Sequence, residues 1–381
     1  MSVHSIAFAQ SDSGDILAAT RAVAIGAGAN AAALDSESAA TVPVADIAAL
    51  HDAGLLVAPF PARFGGAGIA SGVVATQVLR PILQTIGAAT LSLGRLYEGH
   101  VNAIGLVAAY GEPGQVARLR AEAVDGALFG VWAADDAAGL RLVREGDGGR
   151  LTGRKILCSG APFIERPLIA AKDEAGHVFM LAPRLARGAR ADLSRWTPQG
   201  MRASATGTVD FDGLRIEPDE IVGVADDYHR QPRFSGGAWR FLAVQLGAVQ
   251  ELHDLLRKHL IATKRGGDPH QAARFGQGAV AAETARLWVE RASIVAETED
   301  GDADAAVAYV NLARLAVERA ALDVLEIVHR SVGLSAFMRP HPIERISRDL
   351  ATYLRQPAPD SALCGAAAWL LARDEGAKEW G

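Results

Sequence analysis

The residue pattern changes character twice along the chain, from helical to sheet-forming and back to helical, and this order constrains the fold more than any single motif. From about Asp15 to Val124, Ala, Leu and Val recur at three- to four-residue intervals, broken by the cluster Pro59 to Gly68, which predicts helices. From Leu128 to about Val224 the apolar runs are short and divided by Gly, Pro and Asp. There Thr208-Val-Asp-Phe-Asp and Leu214-Arg-Ile alternate as strands do, and Leu128 to Trp132, Leu151 to Leu157, Leu168 to Ala171 and Val178 to Leu181 are further strand candidates. Past the acidic, Gly-rich stretch around Asp226, helical texture returns in Leu246 to Leu260 (with Phe241 and Val244 ahead of it), Gln271 to Val295, Ala305 to Val332 and Ala362 to Leu371. In the third of these, Leu315, Leu322, Leu325, Val328 and Val332 fall on one face. A segregated α+β architecture follows, rather than a doubly wound sheet.

A chain of 381 residues, 50% hydrophobic and 22% charged, can bury a sizeable core in two or three domains. Its formal charge of −6 gives no general attraction to nucleic acid or anionic lipid. The start Met1-Ser-Val-His lacks a basic region ahead of a long apolar stretch, and no run of about 18 uninterrupted apolar residues occurs, so neither a signal peptide nor a membrane span is expected. Cys158 and Cys364 are far apart and without CxxC spacing. That suits a reducing cytoplasm and excludes a thiolate zinc site.

Several chemistries lack their motifs. Gly26-Ala-Gly28 has no third glycine and no preceding strand, which argues against a dinucleotide-binding Rossmann site. GxxxxGK[ST], HExxH and GxSxG are all missing. Histidine pairs such as His253/His259 and His329/His341 lack ligand spacing, so no metal is expected.

Near the C-terminus the chain reads His341-Pro-Ile-Glu-Arg-Ile-Ser-Arg348-Asp349-Leu, which resembles a signature of acyl-CoA dehydrogenases. Other segments resemble that family in the same order. They are His51 to Leu56 followed by Pro61 to Gly68, Gly130 to Gly139, Gly153 to Gly160, and Gly200 to Ser204 running on to Gly223. The resemblance implies an N-terminal helical domain (1–125), a middle β-barrel-like domain (126–228) and a C-terminal four-helix bundle (229–381). It further implies FAD, an acyl-CoA or similar thioester substrate, electron-transfer flavoprotein or oxygen as oxidant, and a homodimer or homotetramer.

On this resemblance the strand carrying Trp132 and Ala134 runs past the flavin ring, while Leu157 and Ser159 cover the face away from substrate. Ala134 stands where the family often has a threonine, so backbone N–H groups must replace one side-chain contact. Arg265 aligns with an arginine that contacts a neighbouring subunit's diphosphate, and Gln271 with a glutamine of the same region; a solvated Arg265 is the alternative. Arg330 adds positive charge near phosphate. Gly333 fits both a close approach of cofactor to backbone and a helix-terminating residue.

The family's base is missing. Its glutamate lies nine residues beyond the position of Arg348, which here is Pro357, and the other position used in the family, on the helix after the β domain, is Gly237. Group D flavin monooxygenases share the fold and use a histidine just after the Arg-Asp pair; the corresponding residue is Gln356. Asp360, Glu98 and His100 remain candidates for proton transfer, each with a surface or structural role as the favoured alternative, and Tyr353 and Arg355 are candidates for positioning an anionic group. The leading expectation is a dehydrogenase with an unconventional base. The alternatives are a monooxygenase or oxidase on a small substrate, and a non-catalytic flavin- or acyl-CoA-binding homologue.

Overall fold

The computed structural model describes residues 13–36 and 42–373. Six helices come first: α1 (Ser13–Ser36), α2 (Val44–Asp52), the short α3 (Gly72–Val74), α4 (Arg80–Ala89), α5 (Leu91–Tyr110) and α6 (Pro113–Val124). A turn of π-helix, Ala75–Leu79, joins α3 to α4. By length and composition α1 could cross a bilayer, because an overall apolar composition does not require the uninterrupted run sought in the sequence. Here its Ile16, Val23, Ala27 and Ala31 are buried and it packs on α4.

Ten strands follow: β1 (Phe129–Trp132), β2 (Arg141–Glu145), β3 (Gly148–Thr152), β4 (Arg154–Cys158), β5 (Arg166–Lys172), β6 (Val178–Leu181), β7 (Ala191–Asp192), β8 (Gly207–Asp210), β9 (Arg215–Ile216) and β10 (Ile221–Val222). One sheet runs β10-β6-β5-β2-β3-β9 with β1 parallel to β5; the other is β4-β8-β7. The predicted strand Leu151 to Leu157 is therefore two strands in different sheets. Gly153, at φ +106°, makes the crossing, where an added Cβ would lie 2.6 Å from the Gly139 carbonyl oxygen. Sequence pattern misses β2 because only Leu142 of its five residues is buried.

The last helices are α7 (Arg233–Gly236), α8 (Ala238–Ala262), α9 (Pro269–Glu297), α10 (Ala303–Val332), α11 (Pro342–Tyr353) and α12 (Pro359–Leu371). α8, α9 and α10 pack on one another, α12 on α10 and α11 on α8. α8 also crosses α4 at near backbone contact: an added Cβ on Gly87 would lie 2.1 Å from the Val244 carbonyl oxygen, and one on Gly247 2.1 Å from that of Gln84. Glycine alone permits this approach.

The signature segment forms α11, and its Arg-Asp pair joins the three parts. Arg348 forms ion pairs with Asp35 of α1 (2.7 Å) and Glu344 (2.6 Å) and donates to the Gln199 carbonyl (2.8 Å). Asp349 accepts the Met201 N–H at 2.6 Å, and Thr352 Oγ1 accepts that of Gly200 at 3.1 Å. Gly200 lies so close to α11 that a Cβ would sit 2.1 Å from the Arg348 carbonyl oxygen.

Burial pushes the Asp349 carboxyl up to about 6, against the opposing effect of the Met201 N–H. The folded chain therefore binds an extra proton between the ordinary value of 3.8 and about 6, and stability from this group falls as pH rises through that window. Asp349→Asn keeps an acceptor for Met201 and removes the titration. In urea denaturation from pH 4 to 7, the variant is expected to gain on the wild type by up to about 3 kcal/mol; parallel pH profiles would contradict this assignment.

Candidate functional site

A cavity of about 640 Å³ opens where the β sheets meet the helices, a size suited to a small-molecule or cofactor site. Its β wall is Val131, Ala133, Ala134, Leu157 and Ser159, continued by Trp196, Met201, Ser204 and Thr206. Facing it are Arg233, Phe234, Gly237 and Phe241 from α7 and α8, with Tyr353, Arg355, Gln356 and Pro357 from the end of α11 and the loop beyond.

Local backbone geometry builds the β wall. A register shift between Lys155 and Cys158 bulges β4, and Leu157, at φ +54°, is 62% exposed on the cavity side. Lys155 is fully buried. Its ammonium reaches Asp135 Oδ1 at 2.6 Å and the Ala133 carbonyl at 3.4 Å, while Ile156 N–H donates to the Ala134 carbonyl at 3.0 Å. The exit of β1 is thereby tied to β4 beside the cavity.

The floor is a chain of paired charges. Arg95 donates to Glu98 and, through Nε, to Ser159 Oγ at 3.2 Å. Glu98 also accepts from Asn102 Nδ2 (2.6 Å) and the Tyr353 hydroxyl (3.4 Å). Asn102 Oδ1 accepts from Arg240 at 3.1 Å, and Arg240 pairs with Glu297 at 2.7 Å. Glu297 additionally accepts from Trp239 Nε1 and the Gly72 N–H. Burial opposes the charge on Arg95, but Glu98 and Tyr353 more than offset it, so its pKa is raised. Burial, with Glu98's negative charge, also pushes Tyr353 well above the ordinary phenol range.

Of the residues singled out in the sequence, Glu98, Ala134, Leu157, Ser159, Tyr353 and Arg355 line this cavity, as do Gly237, Gln356 and Pro357 at the vacant base and histidine positions. Trp132 does not, because alternation along β1 sends it inward when Val131 and Ala133 face out. Its indole donates to the Ser159 carbonyl and meets Phe211 edge-on. Asp360 is exposed in the first turn of α12, outside the cavity lining.

His100 is buried with both ring nitrogens committed, Nε2 to the Leu56 carbonyl (2.8 Å) and Nδ1 to the Phe129 N–H (3.1 Å). It is a packed, neutral imidazole outside the cavity lining. Arg265 is exposed on the turn after α8, a helix of 25 residues and hence about 37 Å long. Gln271 is buried in the bundle against the Ser331 carbonyl. Arg330 is exposed, paired with Glu326 and beside a separate α9–α10 groove. Gly333 follows α10 directly at φ +75°, ψ −148°, a conformation nearly confined to glycine, and its N–H caps the His329 carbonyl.

Arg95, Lys155, Trp196, Arg240 and Glu297 belong to the site or its support without being singled out by the sequence pattern. A signal existed for the first: Arg95, Glu98 and Asn102 recur three and four apart within the otherwise apolar α5. No metal-ligating cluster occurs among the described residues.

Comparison with known proteins places this geometry. No family model matches the chain. It is 27% identical over 349 residues to an L-evernosamine nitrososynthase of a Micromonospora species, covering 84% of this chain and 81% of that protein. It is 24% identical over 370 residues to a probable FMNH2-dependent monooxygenase, SfnC, of Pseudomonas putida, covering 89% and 91%. FMN-bound TdsC from Paenibacillus sp. A11-2 superposes with a TM-score of 0.82 at 20% identity, over 93% of this chain and 97% of that one. KijD3, in complex with FMN and dTDP-3-amino-2,3,6-trideoxy-4-keto-3-methyl-D-glucose, gives 0.82 at 21% identity over 97% and 96%. The chain has the acyl-CoA dehydrogenase-like fold. Within this fold the relatives are nitrososynthases and flavin monooxygenases, so the α+β architecture expected from sequence holds while the relatives turn from dehydrogenation toward oxygenation.

Burial lowers the pKa of His100 to about 4, against the Leu56 hydrogen bond. The unfolded chain gains a proton first as pH falls, so this group's contribution to stability is complete above about 6.5 and is lost on the way down to about 4. Its ring resonances in an NMR titration should stay those of a neutral imidazole to below pH 5; a midpoint near 6.5 would contradict this environment.

Proposed function

We propose that this chain is a flavin-dependent monooxygenase that takes reduced FMN and dioxygen and oxygenates a small molecule. Similarity to the SfnC and nitrososynthase relatives, and the FMN held by TdsC and KijD3, support this reading over the acyl-CoA dehydrogenase expected first. They also favour FMN over FAD, and oxygen over electron-transfer flavoprotein as oxidant.

The observation that carries it is the state of the cavity's carboxylates. Removing an α-proton from a thioester needs a carboxylate free to approach that carbon. Glu98 and Glu297 are the carboxylates lining the cavity, and each is engaged on both oxygens and paired with an arginine. The two positions from which the family's glutamate works hold Pro357 and Gly237, both facing the cavity. Glu98 is thus a structural counter-ion to Arg95 and not an unconventional base.

The residues present fit a flavin. Leu157 and Trp196 offer apolar surface to a planar ring, and Ser159 and Thr206, bonded to each other at 3.2 Å, offer hydroxyls on the same wall. Reduced flavin supplies the two electrons with which dioxygen is split between substrate and water. Arg95 orients Ser159, and the apolar side chains of the wall exclude bulk water. Tyr353, held against Glu98, keeps its proton at the end of α11. A homodimer or homotetramer remains part of this reading, with Arg265 far enough from the cavity to serve only a neighbour's site.

Two assays decide between the readings. Supplied with reduced FMN and an amine or heteroaromatic substrate panel that includes indole, the protein should incorporate label from ¹⁸O₂ into one product. Anaerobic butyryl-CoA or octanoyl-CoA should leave the flavin-loaded protein unbleached; stoichiometric bleaching would restore the dehydrogenase.

A further inference from the structure

Lys155 is a costly residue to bury, and its partners show what it holds. A lysine removed from water must be paired, and replacement of such a pair by apolar residues is often neutral for stability, so the pair by itself explains little. Its position explains more. Along the β wall, Ala133 and Ala134 line the cavity, and neither side chain can donate a hydrogen bond. Any donor that this stretch offers a ligand is therefore a peptide N–H. The Ala133 carbonyl and the Ala134 N–H belong to one peptide unit, and it is this carbonyl that the Lys155 ammonium approaches, at 3.4 Å. A cation on the carbonyl end draws electron density from the N–H end, and hydrogen bonds in series strengthen one another. Asp135, bonded to the same ammonium at 2.6 Å, fixes the next residue, and Ile156 fixes the Ala134 carbonyl between them.

Resting on the flavin reading above, we propose that Lys155 is a positioning residue for the cofactor: through the Ala133–Ala134 peptide it aims and polarises a backbone donor toward the flavin, favouring the electron-rich reduced form. The β4 bulge suits this arrangement. It turns Leu157 outward as ring-facing surface while Lys155, two residues earlier, passes beneath the wall. Reduced flavin carries more negative charge than oxidised flavin, so a strengthened donor and a nearby cation act more on the reduced state. Asp135 moderates that charge without cancelling its direction.

The test uses the purified full chain with FMN and reads binding and midpoint potential rather than turnover. Lys155→Met should weaken reduced FMN relative to oxidised FMN by about tenfold, a shift of about 30 mV to more negative potential for a two-electron couple. Asp135→Asn keeps an acceptor for the ammonium and removes the counter-charge, so the shift should run the other way. Opposite signs are not produced by structural damage, and Asp135→Asn carries the test alone if Lys155→Met does not fold. Equal potentials in the wild type and Asp135→Asn, or shifts of one sign in both variants, overturn the inference while leaving the flavin reading intact. A wild type that binds no FMN in either redox state overturns both.

Discussion

The seam between α11 and the Gly200–Met201 turn is the constraint on which the site depends. Arg348 reaches α1, its own helix and Gln199, Asp349 receives the Met201 N–H, and the missing side chain of Gly200 lets the turn rest on the α11 backbone. Met201, Ser204 and Thr206 enter the cavity from one side of this seam, and Thr352, Tyr353 and Gln356 from the other. The β wall of the cavity and the end of α11 that faces it thus share one set of bonds. A second close approach, α4 on α8 at Gly87 and Gly247, sets the N-terminal helices against the bundle in the same manner.

Charge is spent in the cavity on shape more than on proton transfer. Arg95 with Glu98 and Arg240 with Glu297 form two neutral pairs joined through Asn102, leaving the buried floor without net charge. Breaking such a pair by removing one partner leaves an uncompensated buried ion, so these residues hold the floor together as pairs. Arg233 and Arg355 lie at more exposed parts of the lining, where a cation is tolerated. A floor that is balanced and a wall that carries the Ser159 and Thr206 hydroxyls suit a cofactor that does the redox chemistry itself.

The α, β, α order was legible because helix and strand periods differ, and the signature at His341 to Asp349 pointed to the fold. What periodicity could not show was the sheet switch at Gly153, since one apolar run serves two strands, or β2, whose charged face looks like loop. Leu157 and Ser159, which resemblance singles out, line the cavity. The structural alternative for His100 rests on contacts that sequence spacing does not show, its two nitrogens being bound to the backbone of Leu56 and Phe129. Trp132 misled by one residue of register, the smallest error that reverses a strand face. Arg240 and Glu297 were invisible for a different reason: they lie 57 residues apart and meet only in the folded chain.

The seam between α11 and the Gly200–Met201 turn is tested by the binding constant of FMN for Gly200→Ala. An added methyl group would lie 2.1 Å from the Arg348 carbonyl oxygen, so α11 and the turn must separate and both halves of the cavity must move. FMN binding should be at least tenfold weaker, in fluorescence titration, with the far-ultraviolet circular dichroism unchanged. Wild-type affinity in that variant would contradict the dependence of the site on this seam.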